Sequence, residues 1–151
     1  MTTPFDDEND GSRRRLKQIA EALSREEMAL ETPYGWKVSA LFAHMTWWDQ
    51  RVLVLLRRWK EHGVDDSPVD SEATNEALKP VCHAVPPDAA VRLCLASAEE
   101  TDAEVAAMSR ALQSEIEASS NHFRFNRSLH RNGHIDDILA LVPRLRDVSG
   151  G

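Results

Sequence analysis

Cysteine is scarce in this chain of 151 residues: only Cys82 and Cys94 are present. That excludes a disulfide-dense secreted scaffold and any site built on several thiolates. Long apolar runs are missing too. The best candidate, Val52 to Leu56, is flanked by arginines and falls far short of the roughly 20 residues that span a bilayer. The first ten residues are acidic and carry no apolar stretch, so no signal peptide is expected there. An excess of basic residues is also absent. Lys and Arg number 18 against 25 Asp and Glu, a formal charge of −7. Such a chain repels a phosphate backbone, and the single cluster Arg13-Arg14-Arg15 is too short to reverse that. Neither nucleic acid nor a membrane is expected as a partner, and the expected location is the cytoplasm with both thiols reduced.

What is present is helical periodicity. Hydrophobic residues make up 42% of the chain, enough for one domain that buries roughly two-thirds of its unfolded surface. Residues 1–11 are expected to be a disordered tail, residues 12–147 the domain, and residues 148–151 a flexible end. The first helical stretch runs from Ser12 to about Leu23, with Leu16, Ile19, Ala20 and Leu23 on one face. Ser24 and Glu27 match a capping box, followed by the turn cluster Thr32-Pro33-Tyr34-Gly35. The second helix is the clearest, from about Val38 to Glu61, closing at Gly63. Its stripe reads Leu41, His44, Met45, Trp48, Val52, Leu55 and Trp59.

Four prolines between residues 64 and 87 exclude a long helix there, although a short one from about Ser71 to Lys79 is expected. A third long helix starts at Pro87-Asp88 and runs to about Glu115, with Asp102 on its apolar stripe. A fourth runs from about Asn126 to Arg146, with His130, His134, Ile138, Leu141 and Leu145 on its face. With strand signals nearly absent, the pattern predicts an all-α four-helix bundle.

Three of the six histidines stand where an apolar residue is expected: His44, His130 and His134. His62, His83 and His122 read as ordinary solvated residues. His130 and His134 are four apart, so they share a helix face with Cβ atoms about 5–6 Å apart. That spacing lets two imidazole nitrogens reach one metal ion at roughly 2.0–2.1 Å. His44 supplies a third if its helix is a neighbour. The competing interpretation is a set of hydrogen-bonded core histidines. Gly133 weakens this helix locally by about 1 kcal/mol relative to alanine and offers room for a close approach. Asp102 is a candidate fourth ligand or base, unless it pairs with an arginine. Asp137 is a candidate to orient His134 through its free N–H, unless it is a solvated helix acid. Trp47, Trp48 and Trp59 read mainly as packing, with Trp47 placed for a pocket or a subunit contact.

The stretch Gly35-Trp36-Lys37-Val38 through His44 to Trp47-Trp48 resembles the Gly-Trp-x-Val…His segment of the DinB/YfiT-like superfamily. His130-Arg131-Asn132-Gly133-His134-Ile135 resembles its His-x-x-x-His segment, and Val69-Asp70 to Asn75-Glu76-Ala77-Leu78 its connection after the second helix. The resemblance runs from about Leu16 to Leu145. It implies a four-helix bundle of up-down-down-up topology and a divalent metal, most often nickel or zinc, on His44, His130 and His134. It also implies a homodimer and a small-molecule substrate. Such relatives include enzymes that use a low-molecular-weight thiol as co-substrate. Imidazole ligands suit iron and manganese as well. The expected function is a metal-dependent transferase, isomerase or hydrolase acting on a small electrophile. The alternative is a non-catalytic bundle that binds or sequesters a ligand.

Overall fold

The computed structural model describes residues 3–148, and among them every named element is a helix. The order is α1 (Asp6–Ala22), α2 (Arg25–Met28), α3 (Val38–His62), α4 (Ser71–Ala84), α5 (Pro87–Ala107), α6 (Arg110–Ala118) and α7 (Ser128–Leu141), closed by a 3₁₀ turn over Pro143–Arg146. Helix α3 packs most extensively on α5 and also touches α7, while α1 packs on both α7 and α5. No helix among the described residues is long and apolar enough to cross a membrane.

Helix α1 begins at Asp6, so the tail expected over residues 1–11 does not extend that far. Asp6, Asp7 and Glu8 occupy its first turn, where acids favour the positive end of the helix dipole. Asn9 is almost fully buried. Its Nδ2 donates to the Phe125 carbonyl at 3.2 Å, and its Oδ1 accepts from the Arg127 and Ser128 amides at 2.8 and 3.0 Å. One side chain therefore caps the start of α7 from across the fold. Asn9→Ala is expected to lower the unfolding free energy by about 2–3 kcal/mol, because buried amides lose their acceptor. Urea denaturation followed by circular dichroism measures it. Of the flexible end expected over residues 148–151, residues 149–151 lie outside the described residues.

Helix boundaries follow local chemistry. The Ser24–Glu27 capping box forms in both directions. Helix α3 spans almost the expected residues and stops at Gly63, whose φ of 86° suits glycine. Helix α4 continues through Pro80 to Ala84, beyond the expected end at Lys79. Pro80 is exposed, so its missing amide costs one helical bond and nothing in the core. The expected third helix is two helices. Met108 is extended, and Ser109 caps α6 by accepting from the Leu112 amide at 3.1 Å. The fourth gives way before Pro143, which disfavours the helical conformation at Val142.

Two apolar clusters fill the interior. One gathers Leu16, Ile19, Phe42, Ile135 and Ile138, and the other gathers Leu56, Trp59, Val105 and Ile116. A polar network joins α1, α3, α5 and α7. Arg131, fully buried on α7, makes two parallel bonds to Asp102 of α5 at 2.8 and 2.9 Å and donates to Asp49 of α3 at 3.0 Å. Arg127 adds a bond to Asp49 at 2.9 Å, and Arg13 of α1 lies 2.9 Å from Asp102. Burial opposes the charge on Arg131, but Asp102 and Asp49 outweigh it and raise its pKa.

Candidate metal centre

The network sets the rotation of α7. Each helical residue turns about 100°. With Arg131 drawn into the interior, the residues one before and three after it project together to one side. Those residues are His130 and His134. Helix α3 faces them with His44, which is 6% exposed.

The three rings converge. His130 Nε2 lies 3.1 Å from His44 Nε2 and 3.1 Å from His134 Nε2. One ligand atom from each residue falls within 4.8 Å of the others, and these three form the one such cluster found among the described residues. Two nitrogens bound to one ion at roughly 2.1 Å and near-tetrahedral angles stand about 3.4 Å apart. The observed spacing is close to that. All three imidazoles are held neutral, as metal ligands must be. Burial lowers His44 to about 4, helped by His134, and lowers His130 to about 2, helped by His134 and His44. Burial also lowers His134, against the opposing pull of Asp137. The donor set thus fits a divalent cation.

Surrounding residues fix the rings. The Trp36 indole meets His44 edge-on at 5.1 Å, and the Trp48 ring stands 6.4 Å from it. Trp36 sits at the end of the Thr32–Gly35 turn, where the Thr32 hydroxyl accepts from its amide at 3.0 Å. Asp137 Oδ2 is 3.4 Å from His134 Nδ1, and the Tyr34 hydroxyl donates to the same oxygen. That carboxylate therefore stands where an orienting partner is needed. The Nδ1 atoms of His44 and His134 are buried without a hydrogen bond.

Several expectations change. Asp102 is neither a fourth ligand nor a base: Arg131 and Arg13 occupy its carboxylate. Gly133 is exposed and meets nothing within 4 Å, so it serves no close approach. Asn132 beside it accepts from Arg15 of α1 at 2.7 Å. His83 is not simply solvated. Its Nε2 accepts from the Lys37 amide at 3.1 Å, so its proton sits on Nδ1, 2.7 Å from the Lys79 carbonyl. His122 lines a cavity of about 660 Å³ that opens beside His44 and His130. Trp48 also lines it and donates to Asn75 of α4 at 3.0 Å, whereas Trp47 is partly exposed on the outer side of α3. Asp49 and Arg131 were not singled out as a pair from sequence. The available signal was charge on an apolar stripe, since Asp49 follows Met45 by four and precedes Val52 by three.

No characterised protein and no solved structure matches the chain. A family does match. Residues 8–140 correspond to the DinB superfamily, a span that includes His44, His130 and His134 and the buried arginines and acids around Arg131. On a match of that extent, the chain belongs to the DinB superfamily.

Proposed function

We propose that this chain is a divalent-metal-dependent enzyme acting on a small electrophilic molecule, either by transferring a low-molecular-weight thiol to it or by catalysing its isomerisation or hydrolysis. The observation that carries this reading is the approach of His44 and His134 to His130 at 3.1 Å each. Three neutral nitrogens from two helices, beside a cavity of small-molecule size, supply a site with room for further ligands. A divalent cation there acidifies a bound water or thiol and polarises a carbonyl. His44, His130 and His134 hold it, and Asp137 orients His134. Trp36 and Trp48 restrict the His44 ring and shield it from solvent. Nickel and zinc both suit three imidazoles. In this reading α1, α3, α5 and α7 form an up-down-down-up bundle, with α4 as the crossover that brings α5 alongside α3.

A second reading, a non-catalytic bundle that sequesters its ligand, is favoured by one observation. Neither cysteine is a ready nucleophile: burial raises both thiols, Cys94 to about 12. Metal analysis of protein purified without a histidine tag separates the two. The enzyme reading expects one ion per chain, and its transferase form expects consumption of a thiol in a panel of thiols and electrophiles. Protein without metal removes the enzyme reading and leaves sequestration. Metal without thiol consumption in any pairing removes the transferase.

A further inference from the structure

The cavity beside the histidines is cationic, although the chain as a whole is acidic. Arg51, Arg124 and Arg127 line it, and Asp66 is its one carboxylate. Asp66 is engaged by the Ser120 hydroxyl at 2.9 Å, and Arg127 is committed to Asp49. Arg51 is different. Its Nη2 donates to the Ser67 carbonyl at 2.8 Å and to the Ser67 hydroxyl at 3.0 Å, which anchors the guanidinium at the cavity wall. Among the described residues it has no acidic partner. Every other arginine withdrawn from solvent among the described residues has one: Arg13, Arg15, Arg127 and Arg131.

The register is also informative. His44, Trp48 and Arg51 follow at steps of four and three on α3, so they form one face, and all three line the cavity. Seven residues separate the imidazole from the guanidinium, about 10 Å along the axis. Arg127 and His130, three apart at the start of α7, repeat the arrangement from the opposite wall. Trp48 lies between His44 and Arg51 on α3, and Val52, Val69 and Phe123 add apolar surface to the lining. The cavity therefore combines imidazoles, apolar side chains and, about two helical turns from His44, a guanidinium.

We propose that this cavity binds an organic anion with an apolar body, its carboxylate or equivalent acidic group held by Arg51 with Arg127 behind it, and its reactive end at the histidines. The assignment of the reactive end rests on the metal-site reading above, but the anion pocket does not. A partly buried guanidinium without a counterion is the complement of such a group. Burial and the neighbouring Arg127 charge push Arg51 below the usual guanidinium value, the strain that a bound anion relieves.

The test is calorimetric titration of chelator-treated protein with phenylbutyrate and with its uncharged amide, alongside a separate metal determination. The acid is expected to bind in the millimolar range or tighter, and the amide about tenfold weaker, as loss of a charge-assisted pair implies. Arg51→Gln is expected to weaken the acid about tenfold without altering the amide, and Arg51→Lys to recover part of the loss. Equal binding of acid and amide to the unaltered protein overturns the inference without any variant. So does an Arg51→Gln protein, folded by circular dichroism, that binds the acid as before, or the absence of acid binding at millimolar concentration. Arg51-dependent binding in a protein that carried no metal before chelation keeps this pocket and removes the enzyme reading. Metal binding without anion selectivity does the reverse.

Discussion

Asp49→Ala is expected to lower the unfolding free energy by about 3–5 kcal/mol, the typical effect of stripping a partner from a buried charge pair. Asp49 is 1% exposed and accepts from Arg127 Nε at 2.9 Å and from Arg131 Nη2 at 3.0 Å. Its removal leaves one guanidinium with no carboxylate and a second with only Asp102. The Arg131 side chain is enclosed, while Arg127 borders the cavity. For a domain with a total stability of about 5–15 kcal/mol, that is a large fraction. Asp49→Asn retains the shape and one acceptor, so it is expected to fall between alanine and the native residue. Urea denaturation monitored by circular dichroism measures both. A loss under about 1 kcal/mol for alanine, the range of an exposed pair, contradicts the account.

His130→Ala is expected to abolish metal-linked stabilisation. A ligand that binds only the folded state at about 100 times its dissociation constant stabilises by about 2.7 kcal/mol. In a domain of this size that raises the melting temperature by roughly 5–10 °C. Nickel and zinc are each expected to produce such a rise in the unaltered protein. His130 is the residue both other rings approach, so its loss leaves two imidazoles that no longer share a neighbour. The variant is expected to melt at one temperature with or without the ion. His62→Ala, exposed at the end of α3, is expected to keep the full rise. A rise retained in His130→Ala, or absent from the unaltered protein, counts against the metal centre.

Much of the helical layout was legible in the residues, because period, caps and glycine stops are local signals. The bounds of α3 and the Ser24 capping box follow from neighbours in sequence. So does the His130–His134 pair, since a four-residue spacing on a helix is a geometric fact before any folding, whereas His44 joins it only through the packing of α3 near α7. What was not legible depends on distant partners. The acids of residues 6–8 look like a solvated tail until Asn9 is seen to cap α7. Asp102 looks like a ligand until Arg131 meets it from another helix. The break at Met108–Ser109 was readable from a capping serine but was masked by an uninterrupted apolar stripe. Most instructive is α7, where the expected inward stripe runs through His130 and His134. Ile138 reaches the interior as expected, but its buried companions on the helix are Ser128, Arg131, Ile135 and Leu139. The histidines border the inner side without belonging to the apolar core.

That division of α7 has a mechanical consequence. Its later turns are held by contacts among aliphatic groups, which resist separation but tolerate small swivels. Its first turns are held by guanidinium–carboxylate bonds, which restrict angle as well as distance. Trimming Ile135, Ile138 or Leu139 should therefore loosen how tightly the helix is seated while leaving its imidazoles pointing the same way. Altering Arg131 or its acids should let the helix swivel, so that the chain can stay compact while its three nitrogens lose their common focus.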